Sequence, residues 1–265
     1  MMEKIKELRE RTGAGMVDCK KALDEVAGDI EKAIEILRKK GIAKAAKRSE
    51  REAGEGIIKV ELNSDKTQAY LVELNSETDF VARNEKFQAL LDDIMKVAQA
   101  NEISQTEDLL ASDLNGSKVE DQINALSGVI GEKIILGRVA MVSGASVAAY
   151  SHLGGKIGVL VALDQPGKED LAADIAMHIA ASNPSYLDES EVPSEEIEKE
   201  KDIYREQLLK EGKPENMIEN IMTGKIKKYF SEICLIDQEY IKDDKKKIRD
   251  ILGETKVLKF VRYSL

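Results

Sequence analysis

Reactive side chains are few in this sequence, and they are scattered. Cys19 and Cys234 belong to no CxxC pair, so neither a disulfide framework nor a cysteine-based zinc site is expected. His152 and His178 stand apart from each other, which leaves metal catalysis without a ligand cluster. With two histidines, no serine–histidine–aspartate set can be assembled without special pleading. His178 lies in the apolar run Ala176 to Ala181, where a packed structural histidine is the expected reading. Gly154-Gly155-Lys156 superficially resembles a phosphate-binding loop, but it sits between two strand-like runs and reads as a hairpin turn. The expectation is a chain without catalytic residues, cofactor, metal site or bound nucleotide of its own.

Composition narrows the class further. Of 265 residues, 42% are apolar and 34% charged, the balance of a well-solvated globular protein, and no apolar run reaches membrane-spanning length. The start, Met1 to Lys6, does not read as a secretory signal, so a cytoplasmic location is expected. The net charge of −10 is uneven: residues 1–51 carry 14 basic and 10 acidic side chains, the remainder 26 and 40. An acidic body repels phosphate backbones, so no direct nucleic-acid binding is expected. The basic stretch Lys44 to Arg51 is the exception, read as a solvated linker with RNA contact as its alternative.

The elements that must carry any site follow from periodicity. Ile5 and Leu8, then Val17, Ala22, Leu23 and Val26, then Ile30, Ala33, Ile34 and Leu37 mark three short helices. The first breaks at Thr12-Gly13-Ala14-Gly15, Asp29 caps the third, and Gly41 is expected to stop it. This resembles a ubiquitin-associated-type bundle. Strand runs at 57–62 and 69–74 flank a turn at 63–66, and a polar loop leads into a helix carrying Phe87 to Ala98. Residues 119–130 read as a helix and 134–142 as a strand. The hairpin-plus-helix order then recurs in 146–150, 157–163 and 171–181, an internal repeat of topology. Two long charged helices follow, 194 to about 211 and 215 to about 230, joined at Gly212-Lys213-Pro214. A short helix near 248–252 and a strand at 257–263 close the chain. The fold class is therefore α+β: a ubiquitin-associated-like bundle with its basic linker (1–51), then two similar antiparallel-sheet-plus-helix subdomains (52–142 and 143–265). The second is interrupted by an antiparallel helical hairpin at about 185–231.

Four motifs in this order are specific: LRERTGAGMVDCKKAL from Leu8 to Leu23, TDFVARN from Thr78 to Asn84, MHIAASNP from Met177 to Pro184, and EGKPE from Glu211 to Glu215. Together they resemble elongation factor Ts across nearly the whole chain. The resemblance implies binding to elongation factor Tu in its GDP form, promotion of GDP release, and departure when GTP binds. It places Thr78, Asp79, Phe80 and Val81 at the partner's magnesium and phosphate site, with Phe80 as a wedge. Leu8, Met16, Val17, Ile130, Gly131 and His152 are further partner contacts. Val17 stands where many members carry a second Met, so that contact is smaller here. The chain ends close to the last core strand, so contacts of a C-terminal helix found in some members are not carried over.

Read without the family, Phe80 and Val81 would be core residues under a loop and Asp79 a turn or cap residue. Ile197, Tyr204 and Leu208 suit either an intramolecular hairpin or the seam of a homodimer. A passive adaptor or oligomerisation scaffold with a docking bundle is the alternative from a different functional class.

Overall fold

The computed structural model describes residues 1–12, 14, 16–46 and 50–265, with side chains at all of these except 10, 38 and 40–46. Three helices open the chain: α1 (Met2–Thr12), α2 (Met16–Glu25) and α3 (Ile30–Ala46). Ile5, Leu8, Cys19, Ala22, Leu23 and Ala33 form their shared core. Asp29 caps α3 as expected, its Oδ1 accepting the Lys32 amide at 3.1 Å. Gly41 does not end that helix, which continues to Ala46. One glycine costs a helix about 1 kcal/mol relative to alanine, and Ala43, Ala45 and Ala46 favour its continuation. The basic segment therefore begins within α3, while Lys47, Arg48 and Ser49, like the break at Gly13 and Gly15, lie outside the described residues.

The first half of the remaining chain is built from a hairpin, β1 (Glu55–Leu62) and β2 (Gln68–Ser76), then α4 (Asp79–Ala82), α5 (Glu85–Ala100) and α6 (Thr106–Ala111). A two-residue ladder, β3 (Asp113–Leu114) with β4 (Ser117–Lys118), precedes α7 (Val119–Ile130) and β5 (Ile134–Ser143). The second half repeats the plan with β6 (Ser146–His152), β7 (Ile157–Leu163) and α8 (Glu169–Ser182). It continues through α9 (Ser194–Lys210), α10 (Glu215–Ile233), β8 (Glu239–Tyr240), β9 (Asp243–Lys247), α11 (Ile248–Leu252) and β10 (Val257–Ser264). Each half makes one antiparallel three-stranded sheet, ordered β1-β2-β5 and β6-β7-β10. In both, the second hairpin strand is central and the strand closing the half pairs with it. The α+β class and the shared topology of the halves are thus as expected; α4, α6 and the two small ladders are additional, too short to show a period.

Strand alternation explains how the sheets are covered. From β2, Tyr70, Val72 and Leu74 point toward Phe87, Leu91, Ile94 and Met95 of α5. From β7, Val159, Val161 and Leu163 point toward Ile175 and Ile179 of α8. The opposite faces meet each other: Ile58, Ala69, Leu71 and Ala140 of one sheet pack on Val147, Leu160 and Ala162 of the other. The halves are therefore layered helix, sheet, sheet, helix, with both central strands buried on two faces.

The helices α9 and α10 form a hairpin around Leu208, Ile218, Met222, Ile226 and Phe230, with Ile197 and Tyr204 packed alongside. These positions line an intramolecular seam. At its base, Glu196 accepts hydrogen bonds from the Tyr186 and Tyr229 hydroxyls, each at 2.6 Å.

Candidate functional site

One end of the sandwich gathers most of the candidate residues. Ser76, where β2 ends, lies opposite both Glu55 at the start of β1 and Ile134 at the start of β5. The β6–β7 turn reaches the same end: the Gly155 carbonyl accepts the Ile58 amide at 2.7 Å, and Lys156 pairs with Glu55. The terminal Leu265 amide donates to the Lys156 carbonyl at 3.1 Å.

Thr78 to Val81 is not a loop but the start of a one-turn helix. Thr78 is extended at its N-cap (φ −129°, ψ 156°), and the Arg83 amide closes the turn on the Asp79 carbonyl at 3.1 Å. The Thr78 hydroxyl makes no cap bond. It donates to Glu132 Oε1 at 2.8 Å, while the Thr78 amide donates to Glu132 Oε2 at 3.0 Å. In return, Glu77 Oε1 accepts the Lys133 amide at 2.6 Å. Two neighbouring carboxylates thus exchange bonds with two neighbouring amides, clasping the start of α4 to the turn between α7 and β5. That turn is shaped by Gly131, which caps α7 at φ +92°, a left-handed conformation that glycine adopts without steric cost. Its own hydrogen bonds hold it: Gly131 N to Ser127 O at 2.9 Å, and Ser127 Oγ to Glu132 O at 2.6 Å.

This clasped turn presents adjacent residues in opposite directions. Phe80 is 78% exposed, whereas Val81 is 7% and Ala82 4% exposed, both inside the first half's core. Asp79, half-buried, pairs with Arg83 at 3.0 Å. The expectation that Phe80 is core without the family is overturned, because α4 turns its ring outward. Val81 faces the other way, into the first half's core. Leu8 is wholly buried in the core of the bundle.

Of the remaining candidates, Met16 and Val17 are exposed on α2. Ile130 is half-buried against the first core. His152 is exposed, its ring stacked 5.9 Å from Tyr150 with Nδ1 3.1 Å from the Tyr150 hydroxyl. Beside it Leu153, 69% exposed at φ +52°, extends the apolar surface of that turn. Thr78 is bonded to Glu132, the residue after Gly131, and His152 lies in the turn that is bonded to β1, while Met16 and Val17 lie on the bundle. The linker end reaches this site, since Arg51 pairs with Glu77 at 3.2 Å and its carbonyl accepts Lys133 Nζ at 2.8 Å. Glu77 and Glu132 were not foreseen: Glu132 meets a partner 54 positions away, and no local pattern signals that.

Of the reactive groups set aside earlier, both cysteines and His178 are buried. Burial raises the Cys19 thiol pKa and pushes that of Cys234 up to about 11. His178, fully buried, is bonded through Nε2 to Gln238 Oε1 at 2.9 Å. Among the described residues, no cluster of three or more His, Cys, Asp or Glu could hold a metal ion. No described helix is long and apolar enough to cross a membrane.

Known proteins resemble this chain throughout. Residues 77–265 match the family described as elongation factor TS. Elongation factor Ts of a Nitratiruptor species is 47% identical over 278 aligned residues, which cover 98% of this chain and 91% of that protein. The protein of the same description from Chlorobium phaeobacteroides is 48% identical, with 98% of this chain and 96% of that one covered.

Proposed function

The chain belongs to the elongation factor Ts family and is a translation elongation factor; we propose that it acts as a guanine nucleotide exchange factor for elongation factor Tu. In this reading it binds the GDP-loaded GTPase in the cytoplasm, loosens GDP, and leaves when GTP binds. It performs no covalent chemistry. The residues 1–51 serve as a docking module, and the subdomains 52–142 and 143–265 hold the partner around α4.

The observation that carries this reading is Phe80, a large apolar ring held out on a turn whose next two residues are buried. GDP in such GTPases is held by phosphate-binding amides, a lysine and a bridging magnesium ion. An exchange factor must bind the empty GTPase more tightly than the loaded one, and linkage then weakens nucleotide binding by the same factor. Phe80 entering beside the magnesium and phosphate site, with Asp79 as its polar neighbour, gives that difference a physical cause. Burying one Phe contributes about 1.5–3 kcal/mol, so one ring does not supply both tight binding and release. Gly131 and His152 at the same end, and Met16 and Val17 on the bundle, widen the grip.

Release of fluorescent GDP from preloaded elongation factor Tu tests the reading. The purified chain should accelerate release, and Phe80→Ala should slow it while the protein stays folded. Release at the spontaneous rate with the unaltered chain would instead favour a passive adaptor. Ile203, Leu209 and Met217 remain exposed on the helical hairpin, which is consistent with self-association there; light scattering decides it.

A further inference from the structure

Four residues of helix cannot hold their own shape in water, because nucleation fixes several dihedrals for one hydrogen bond. Something outside α4 must therefore keep Phe80 aimed outward. Val81 and Ala82 anchor one side in the core. The other side, the entry into the turn, is held by Glu132: one carboxylate takes both the amide and the hydroxyl of Thr78. Ser76 Oγ adds a bond to the Thr78 carbonyl at 2.9 Å. Thr78 is thereby fixed at its amide, hydroxyl and carbonyl, two residues before Phe80. Bonds to an ionised carboxylate are shorter and stronger than neutral ones, and Glu132 is itself held through Ser127 and the left-handed Gly131.

Resting on the exchange reading above, we propose that Glu132 is a positioning residue, which sets the direction of Phe80 and so acts on nucleotide release without touching the partner's nucleotide. The bidentate grip on Thr78 pre-orders the turn, and the partner then meets a ring already in place rather than one it must order on binding. The role belongs to the carboxylate: glutamine keeps one acceptor for the Thr78 amide, and alanine keeps none.

The test is a double-mutant cycle in the full chain, read as the rate of labelled GDP release from elongation factor Tu across a range of factor concentrations. Glu132→Ala should lower the maximal rate by about tenfold, the scale of a lost charge-assisted hydrogen bond, and Glu132→Gln by less. In the Phe80→Ala background, Glu132→Ala should produce no further slowing, because its effect passes through the ring. A merely structural role would slow both backgrounds equally. Equal slowing in both, or a wild-type rate for Glu132→Ala, overturns the proposal while leaving the exchange reading intact. A wild-type rate for Phe80→Ala removes the ring's wedge role and overturns this inference, whereas the exchange reading itself falls only if the unaltered chain fails to accelerate release. Should Glu132→Ala fail to fold by circular dichroism, Thr78→Val, which removes the hydroxyl alone, enters the same cycle. It should slow release only where Phe80 is present, and equal slowing with and without Phe80 overturns the proposal.

Discussion

Gly158 of β7 and Ile58 of β1 meet between the two sheets so closely that a Cβ on Gly158 would lie 2.4 Å from Ile58 Cγ2, and 2.9 Å from Val60 Cγ1. No side chain fits there without moving a buried neighbour. Gly158→Ala should therefore destabilise by about 1–3 kcal/mol or more through overpacking. Ile58→Ala in the same chain removes the clashing methyl, so the pair should be less destabilised than the two single changes summed. Urea unfolding of the four proteins checks this, and strict additivity would contradict the close approach.

Phe80 and Val81 predict opposite outcomes from adjacent truncations. Val81→Ala deletes two buried methyl-sized groups and should cost about 2 kcal/mol, from transfer at about 0.8 kcal/mol each plus a cavity term. Phe80→Ala should leave the melting temperature nearly unchanged, since the ring is already in water. A large loss of stability for Phe80→Ala would mean that the ring packs inward.

Arg138 ties the first sheet to the last strand of the second. Its Nε donates to Glu73 at 2.6 Å, its Nη2 to the Ser264 carbonyl at 2.8 Å, and its guanidinium lies 4.3 Å over the Tyr263 ring. Glu73 is nearly buried, and its other oxygen accepts from Asn75 at 3.0 Å. Arg138→Ala strands that carboxylate, at a cost near or below the low end of the roughly 3–5 kcal/mol for an orphaned buried charge, because Arg138 is itself half-exposed. Arg138→Ala with Glu73→Gln should recover part of the loss in thermal melts.

His178 sets a pH dependence. Burial holds its pKa below the usual histidine value, against a smaller raising effect of the Gln238 bond. The Ile241 amide donates to Nδ1 at 3.4 Å while Nε2 faces Gln238, the arrangement of a neutral ring. Below about pH 6.5 the unfolded chain takes up a proton that the folded ring resists, so stability falls as pH drops from there. Asp174, whose pKa Lys242 and then Tyr240 depress, contributes only at lower pH, as its carboxylate is protonated. Urea midpoints at pH 7.5 and 5.5 should differ more for the wild type than for His178→Gln; equal differences would exclude the histidine.

Much of the fold was legible because its signals are local. The bounds of α7, β7 and α11 matched their apolar runs, since period and turn residues lie within the segment itself. The end of α3 was not legible, because a single glycine is a weak stop among good helix formers. At the candidate site, the motif around Thr78 was visible, but its conformation was not: a one-turn helix leaves no period to read. Leu8 and Val81 illustrate the limit most sharply, because an apolar residue in a motif is equally suited to a core and to a docking surface. That both side chains are buried in this chain became visible only in the tertiary structure.

By itself the sequence determined the order of the longer elements, the repeated hairpin-plus-helix plan, the scarcity of reactive groups and the family. These rest on spacing along the chain and on residue type, which need no third dimension. Tertiary structure alone decided that the two sheets pack face to face, that Phe80 points out while Val81 points in, and that Glu132 reaches across 54 positions to hold Thr78. The reason is physical. Side-chain direction and long-range carboxylate–amide bonds depend on where distant segments are brought by burial of their apolar faces, and one-dimensional periodicity carries no record of which segments those are.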